Sequence, residues 1–170
     1  MISRRRYEHI LALYPQTRGF AFALFEGLLV PVDWGIREAR GPEKNARCLR
    51  RIKELLTLYS PDAIVLQDVP QCGDRRKARI HELHYWIVEL AESEKIPTHL
   101  FTRDAVLSHF AQLGATSKQA VAETIGKHVP ALRLYVPARQ RSWKNQHPHL
   151  GIFEAAALAW MYFESAKGKS

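Results

Sequence analysis

ILALYPQTRGFAFALF, residues 10–25, is the stretch that decides the fold. Aliphatic and aromatic residues fill both of its arms, and proline and glycine interrupt it at Pro15-Gln16-Thr17-Arg18-Gly19. Apolar arms that meet at such a joint predict a β-hairpin, with strands over His9 to Tyr14 and Gly19 to Glu26. A third strand over Leu29 to Glu38 follows a tight turn at Glu26-Gly27, and connections this short permit only an antiparallel meander.

The rest of the chain predicts helices alternating with two more strands. Ala63 to Val69 is a nearly continuous apolar run, which is typical of a strand buried on both faces of a parallel sheet. A further strand is expected over Pro97 to Thr102, and a loop over Arg133 to His149. Five helices are expected, over Glu43 to Tyr59, from the Arg75–Arg79 segment to Lys95, and over Arg103 to Gln112, Thr116 to Val129 and Leu150 to Ser165. This order predicts one α/β domain over residues 1–170, with a mixed five-stranded sheet of three antiparallel and then two parallel strands, flanked by helices.

Composition favours an anionic partner. The chain has 170 residues, and 25 Lys and Arg against 17 Asp and Glu give a formal charge of +8. Nucleic acid is the leading partner on this ground, an anionic membrane surface is the weaker one, and a basic surface without function is the third interpretation.

Two cysteines without Cys-x-x-Cys spacing indicate a reducing compartment, and the sequence shows neither a cleavable leader nor a membrane-spanning run, so we expect a soluble cytoplasmic protein.

Four local patterns together carry a resemblance to a known family. They are the hairpin Ile10 to Gly19, the segment Ser60-Pro61-Asp62-Ala63-Ile64-Val65, the spacing from Pro97 through Gly114 to Lys118 and Val121, and the helical segment Glu154-Ala155-Ala156-Ala157-Leu158-Ala159. Each is similar to a part of the RuvC-type Holliday-junction resolvases, and together they cover nearly the whole chain. The resemblance implies the RNase H-like fold, branched or structured DNA as partner, a homodimer, and cleavage of DNA with Mg²⁺ or Mn²⁺ held by clustered carboxylates. It also implies that Lys118 contacts a phosphate, with ordinary helix surface as the alternative.

The acids that the resemblance requires are replaced in this chain. Tyr14 stands at the first acid position, where a neutral phenol is a poor Mg²⁺ ligand. Ungapped counting places Gln67 at the second acid position, and Phe153 and Ala156 at those of the last helix. Two acids lie one step away, Asp68 and Glu154, and they are the candidate metal ligands and catalytic residues.

Both remaining acids also have a structural interpretation. Asp68 and Gln67 point to opposite faces of their strand unless it bulges, and Asp68 also fits a turn residue before Pro70. Glu154 lies in a helix that is apolar nearly all round, so its carboxylate needs a metal, an arginine or a helix N-terminus as partner.

Basic residues and histidines supply the remaining candidates. Arg75, Arg76, Lys77 and Arg79 lie beside a helix N-terminus, where they either hold a phosphate or form a solvated basic face. Trp143 would stack on an unpaired base or pack in the core, and neighbouring cations would hold phosphates. His149, with His147 near it, would assist proton transfer or lie on a surface loop. The cations proposed to contact nucleic acid in this region are Arg139, Arg141 and Lys144.

Three functions are consistent with these residues. The favoured one is a degenerate relative of the resolvases that binds structured or branched DNA without cutting it. The second is an active endonuclease that uses Asp68 and Glu154 with Mg²⁺ or Mn²⁺. The third is a protein–protein scaffold whose basic charge is incidental.

Overall fold

The computed structural model describes residues 8–69, 75–139 and 147–167, and for residues 75–77 it describes the backbone alone. The strands are β1 (His9–Gln16), β2 (Gly19–Glu26), β3 (Pro31–Glu38), β4 (Ala63–Asp68) and β5 (Thr98–Thr102). The helices are α1 (Lys44–Tyr59), α2 (Arg75–Ser93), α3 (Arg103–Gln112), α4 (Lys118–His128) and α5 (Leu150–Lys167), with a 3-10 helix over Pro130–Tyr135. Within the described ranges, no helix combines the length and the apolar character that a membrane span requires.

The five strands form one mixed sheet in the order β3-β2-β1-β4-β5. The pairs β1–β2 and β2–β3 are antiparallel, whereas β1–β4 and β4–β5 are parallel. This confirms the predicted fold class, with three antiparallel strands followed by two parallel ones. The hairpin strand β1 is the centre of the sheet, so the carboxyl ends of β1 and β4 lie side by side.

Backbone geometry fixes both turns of the meander. Gly19 has φ +134°, and a Cβ at this position would lie 2.0 Å from the carbonyl oxygen of Arg37, so only glycine fits. The second turn is longer than expected, because Glu26 N donates to the carbonyl of Val30 and Leu29 adopts φ 63°. The third strand therefore begins at Pro31 rather than at Leu29.

Strand alternation divides the core into two layers. Ile10 and Ala12 of β1 pack with the apolar helix α5, and Tyr14 lies against the same layer. Leu11 and Leu13 face the other way and pack with α1 and α2. A side chain's parity in a central strand therefore decides which helices it meets.

The start of α4 differs from the prediction. Ser117 is the N-cap, because its Oγ accepts a hydrogen bond from Ala120 N at 3.1 Å, so the helix expected from Thr116 begins two residues later. Gln119 donates to Glu123 Oε1 at 3.3 Å and to the carbonyl of Pro137 at 2.6 Å. This cap makes Lys118 the first helical residue.

The expected loop over Arg133 to His149 begins inside the 3-10 helix, and residues 140–146 lie outside the described part of the chain.

Candidate functional site

A cleft of about 540 Å³ opens at the carboxyl end of β1. Its walls come from the β1–β2 turn, the end of β3, and the first turns of α4 and α5. Its lining includes Tyr14, Gln16, Arg18, Glu38, Lys118, His147, Gly151 and Glu154. We call this the functional cleft, because it holds three of the residues that the sequence analysis selected.

Glu154 and Lys118 form an ion pair in the functional cleft. Lys118 Nζ lies 3.7 Å from Glu154 Oε1, and the two side chains are 27% and 22% exposed. A half-buried carboxylate requires a compensating positive charge, and the lysine ammonium supplies it here. The partner that the sequence analysis required for Glu154 is therefore a cation of the chain itself.

Tyr14 is neutral in this setting. Burial raises the pKa of its phenol to about 12, the negative charge of Glu154 acts in the same direction, and the positive charge of Arg103 acts against both. A protonated phenol offers Mg²⁺ a weak oxygen ligand compared with a carboxylate. The residue at the family's first acid position thus contributes bulk and a hydroxyl group, without negative charge.

Asp68 lies on the other face of the sheet from Glu154. Ile64 and Leu66 of β4 pack with α1 and α2, and the register of β4 against its neighbours runs without a shift. Asp68 continues this parity, and its charge acts on His84 of α2, whose ring contacts the carbonyl of Gln67 at 3.1 Å. This parity argues against convergence of Asp68 and Glu154 on one metal ion, which stays a prediction.

The donor set does not fit the two-metal site that the fold family implies. Among residues 8–69, 75–139 and 147–167, no three histidine, cysteine or acidic side chains are grouped closely enough to hold a metal ion. Phe153 and Ala156, at the other acid positions, are each 1% exposed and belong to the core beside α5. In the functional cleft, Glu154 is paired with the ammonium of Lys118, and position 14 holds a phenol. A two-metal site would require further carboxylates there.

The two histidines lie in different surroundings. His147 lines the functional cleft, and its Nδ1 accepts a hydrogen bond from His149 N at 3.2 Å. The His149 ring lies 5.5 Å from the Tyr135 ring and 4.8 Å from the His147 ring, between centroids. His147, rather than the predicted His149, is the histidine that lines the cleft together with Glu154.

Arg79 has a structural role that the sequence did not reveal. Its Nη2 donates to the carbonyls of Gln16 and Thr17 at 2.6 and 3.1 Å, and its Nη1 donates to Asn45 Oδ1 at 2.8 Å. Lys44 also donates to the Thr17 carbonyl. These bonds fix the β1–β2 turn against α1 and α2, so the guanidinium of Arg79 positions one wall of the cleft.

The other predicted phosphate ligands are distributed unevenly. The Arg139 guanidinium binds Glu123 through two hydrogen bonds of 2.8 Å and is 75% exposed, so it is paired at the surface. The side chains of Arg75, Arg76 and Lys77, at the start of α2, are not described. Arg141, Trp143 and Lys144 lie outside the described residues. Lys118 is the predicted nucleic-acid ligand that the structure brings into the functional cleft.

Sequence reasoning missed two features of the cleft wall. Gly151 lets the first turn of α5 approach β1, because a Cβ there would lie 2.5 Å from Gln16 Nε2. A glycine inside an apolar helical pattern is a signal of such close approach and could have indicated it. Arg18, at the tip of the hairpin, also lines the cleft.

Comparison with solved structures supports the fold. No protein-family model matches the chain, and no curated protein matches its sequence. Among solved structures, RuvC of T. thermophilus in complex with a Holliday junction substrate superposes with a TM-score of 0.69 at 13% identity, over 96% of this chain and 98% of that one. The yeast mitochondrial Holliday junction resolvase Ydc2 gives 0.65 at 13% identity, over 94% and 80%. The fowlpox virus Holliday junction resolvase gives 0.57 at 13% identity, over 93% and 99%. The chain therefore has the RuvC-type resolvase fold.

Proposed function

We propose that the chain binds branched DNA through its basic surface without a metal ion, and that its catalytic site is degenerate. The observation that carries the proposal is the ion pair between Lys118 and Glu154 beside the neutral Tyr14. Where resolvase chemistry would require carboxylates that hold metal ions, this cleft presents an internally compensated charge. Such a cleft still offers a lysine to a phosphate, but its described residues include no set of metal ligands.

Two further observations support DNA as the partner. The formal charge of +8 favours a polyanion. RuvC of T. thermophilus and the fowlpox virus resolvase, both similar in fold, have been solved with Holliday junction DNA. The same likeness favours a homodimer, since a two-fold symmetric partner is matched by two copies of one surface.

The test is binding to a labelled four-way junction, measured by fluorescence anisotropy in EDTA and in Mg²⁺ over a range of salt concentrations. We expect equal affinity in both buffers and a steep loss of affinity with salt, because phosphate contacts release counterions. Lys118→Gln should reduce the slope of log K against log salt by less than about 0.9, the contribution of one full phosphate contact to duplex DNA, because Glu154 competes for the same ammonium.

Each rival function predicts a different outcome. Strand cleavage of the junction in Mn²⁺, or binding that requires the metal, would show an active endonuclease. Absence of binding at low salt would leave the protein–protein scaffold. Light scattering of the complex tests the dimer, and a single copy on each junction would contradict it.

A further inference from the structure

A second basic cleft, of about 480 Å³, lies where the end of β3 meets α1. Its cationic lining consists of Arg40, Arg47, Arg50 and Arg51, and two carboxylates, Glu38 and Glu54, also border it. We call it the α1 arginine cleft. None of these arginines was a candidate in the sequence analysis.

The core fixes the direction of these arginines. Cys48, Ile52 and Leu55 of α1 are buried under the sheet, so the helix cannot rotate about its axis. Arg47 stands one turn before both Arg50 and Arg51, and all three are exposed. The three arginines therefore form a short row on the exposed side of α1. The buried apolar side of the helix fixes the direction of this row.

The row carries uncompensated charge. Residues 37–54 contain seven Arg and Lys against three Glu, which gives +4 of the formal +8 of the whole chain. Arg40 and Glu38 approach to 3.7 Å, but both are more than half exposed, so this pair neutralises little. Among the residues that the structure describes, neither Arg50 nor Arg51 has a carboxylate within ion-pair distance.

The α1 arginine cleft adjoins the functional cleft. Glu38 lines both, and Ala39 N donates to the carbonyl of Arg18 at 3.0 Å, which joins the end of β3 to the hairpin tip. Arg47 Nη1 donates to the carbonyl of Arg40 at 3.1 Å and holds the connecting segment against α1. The two clefts therefore meet at the end of β3, beside the hairpin tip.

We propose that the α1 arginine cleft binds the sugar–phosphate backbone of a duplex arm of the same branched DNA that the functional cleft contacts. The inference rests on the proposed function and extends it to a second contact region. Arg47 and Arg51 are separated by about 6 Å along the axis of α1, a length over which one DNA strand, rising about 3.4 Å per nucleotide along the duplex axis, presents more than one phosphate. An open row of exposed guanidinium groups suits consecutive phosphates, whereas a single anion would be favoured by a buried cage of donors.

The test compares two charge-matched double variants. Arg50→Gln/Arg51→Gln removes two cations from the cleft and spares Arg47, which has a structural bond. Lys95→Gln/Lys127→Gln removes two exposed cations from the ends of α2 and α4, outside both clefts. Each variant is titrated with four-way junctions that have either long arms or arms truncated close to the crossover.

On the long-armed junction, the slope of log K against log salt should be shallower by about 1.8 for the arginine variant than for the wild type, because two phosphate contacts disappear. The lysine variant should keep the wild-type slope. With truncated arms, the arginine variant should bind as the wild type does. Arg50→Lys/Arg51→Lys should retain most of the slope, and a thermal melt of each variant checks that the fold is kept.

Three outcomes would overturn the inference. If both double variants lose the same slope, the effect is net charge and the α1 arginine cleft is not a binding site, although the proposed function stands. If the arginine variant loses equal affinity for truncated and long arms, and inorganic phosphate competes at millimolar concentration, the cleft holds an isolated anion. If the wild-type chain binds no junction, both the inference and the proposed function fail.

Discussion

Replacing Glu154 with glutamine separates the metal-free proposal from the nuclease by the sign of its effect. In the proposed mode, Glu154 repels DNA phosphates and competes with them for Lys118, so Glu154→Gln should strengthen junction binding. In a metal-dependent enzyme, the same carboxylate would hold the cation that the DNA contacts. Glu154→Gln would then weaken binding in Mg²⁺ and abolish cleavage.

The structure sets the size of the effect. Lys118 Nζ lies 3.7 Å from Glu154 Oε1, so a phosphate at a similar distance on the far side of the ammonium would lie about 7 Å from the carboxylate. Repulsion between unit charges at that distance is about 0.6 kcal/mol at the dielectric constant of water and about 2.2 kcal/mol at an effective value of 20. Removing the carboxylate should therefore tighten binding by about 3-fold to 40-fold. The slope of log K against log salt should steepen by up to about 0.9 if Lys118 gains a full phosphate contact.

The assay is anisotropy of a labelled four-way junction in EDTA at constant ionic strength. The matched control is Glu164→Gln, because Glu164 pairs with Lys167 at the same distance of 3.7 Å on the same helix α5 and lies outside the functional cleft. The control should change affinity little. Weaker binding of Glu154→Gln in EDTA, or a gain equal to that of Glu164→Gln, would refute the charge argument.

Three further predictions concern the same wall of the cleft. Arg79→Gln should lower the free energy of unfolding by about 2 to 3 kcal/mol in urea, because the carbonyls of Gln16 and Thr17 lose a charged donor; a variant as stable as the wild type would contradict this. Tyr14→Asp with Lys118→Gln should create a weak Mg²⁺ site, detected as about 1.4 kcal/mol of stabilisation at ten times the dissociation constant, whereas Tyr14→Asp alone should respond less. The raised pKa of Tyr14, about 12, means that its contribution to stability is complete below pH 10 and is lost as pH rises from 10 to 12. Between pH 9 and pH 12, the free energy of unfolding measured in urea should therefore fall by about 2 to 3 kcal/mol less in Tyr14→Phe than in the wild type. An equal fall in both proteins would show that Tyr14 does not carry the effect.

The sequence predicted the order of the elements because those signals are local. Apolar alternation, the glycine at 19 and the unbroken run of β4 each act within a few residues. The ends of elements depend on finer competition. Leu29 was expected in a strand but adopts a positive φ in the turn, and the helix expected from Thr116 begins at Lys118, after the Ser117 cap.

The site was less predictable because its contacts join distant parts of the chain. Glu154 was correctly expected to need a partner, yet nothing local indicates that the partner is Lys118 on another helix. Arg79 was interpreted from its neighbours in sequence, whereas its acceptors are backbone carbonyls 62 and 63 residues away. The parity of Asp68 was available from the sequence, since an unbulged strand places neighbouring side chains on opposite faces.

The state of the cleft follows from electrostatics at the carboxyl end of the central strand. A carboxylate on α5 that faces this edge is stable only with a compensating cation, because half-buried charge is costly when unpaired. A second carboxylate at position 14 would raise that cost and create a demand for a divalent ion. A tyrosine there lowers the demand to a single positive charge. Lys118 supplies this positive charge, with its Nζ 3.7 Å from Glu154 Oε1. It lies at the start of α4, where the Ser117 cap sets the first turn of the helix. The neutral Tyr14 and the ion pair are thus two parts of one arrangement, so Mg²⁺ should bind more tightly when positions 14 and 118 are both changed than when position 14 is changed alone.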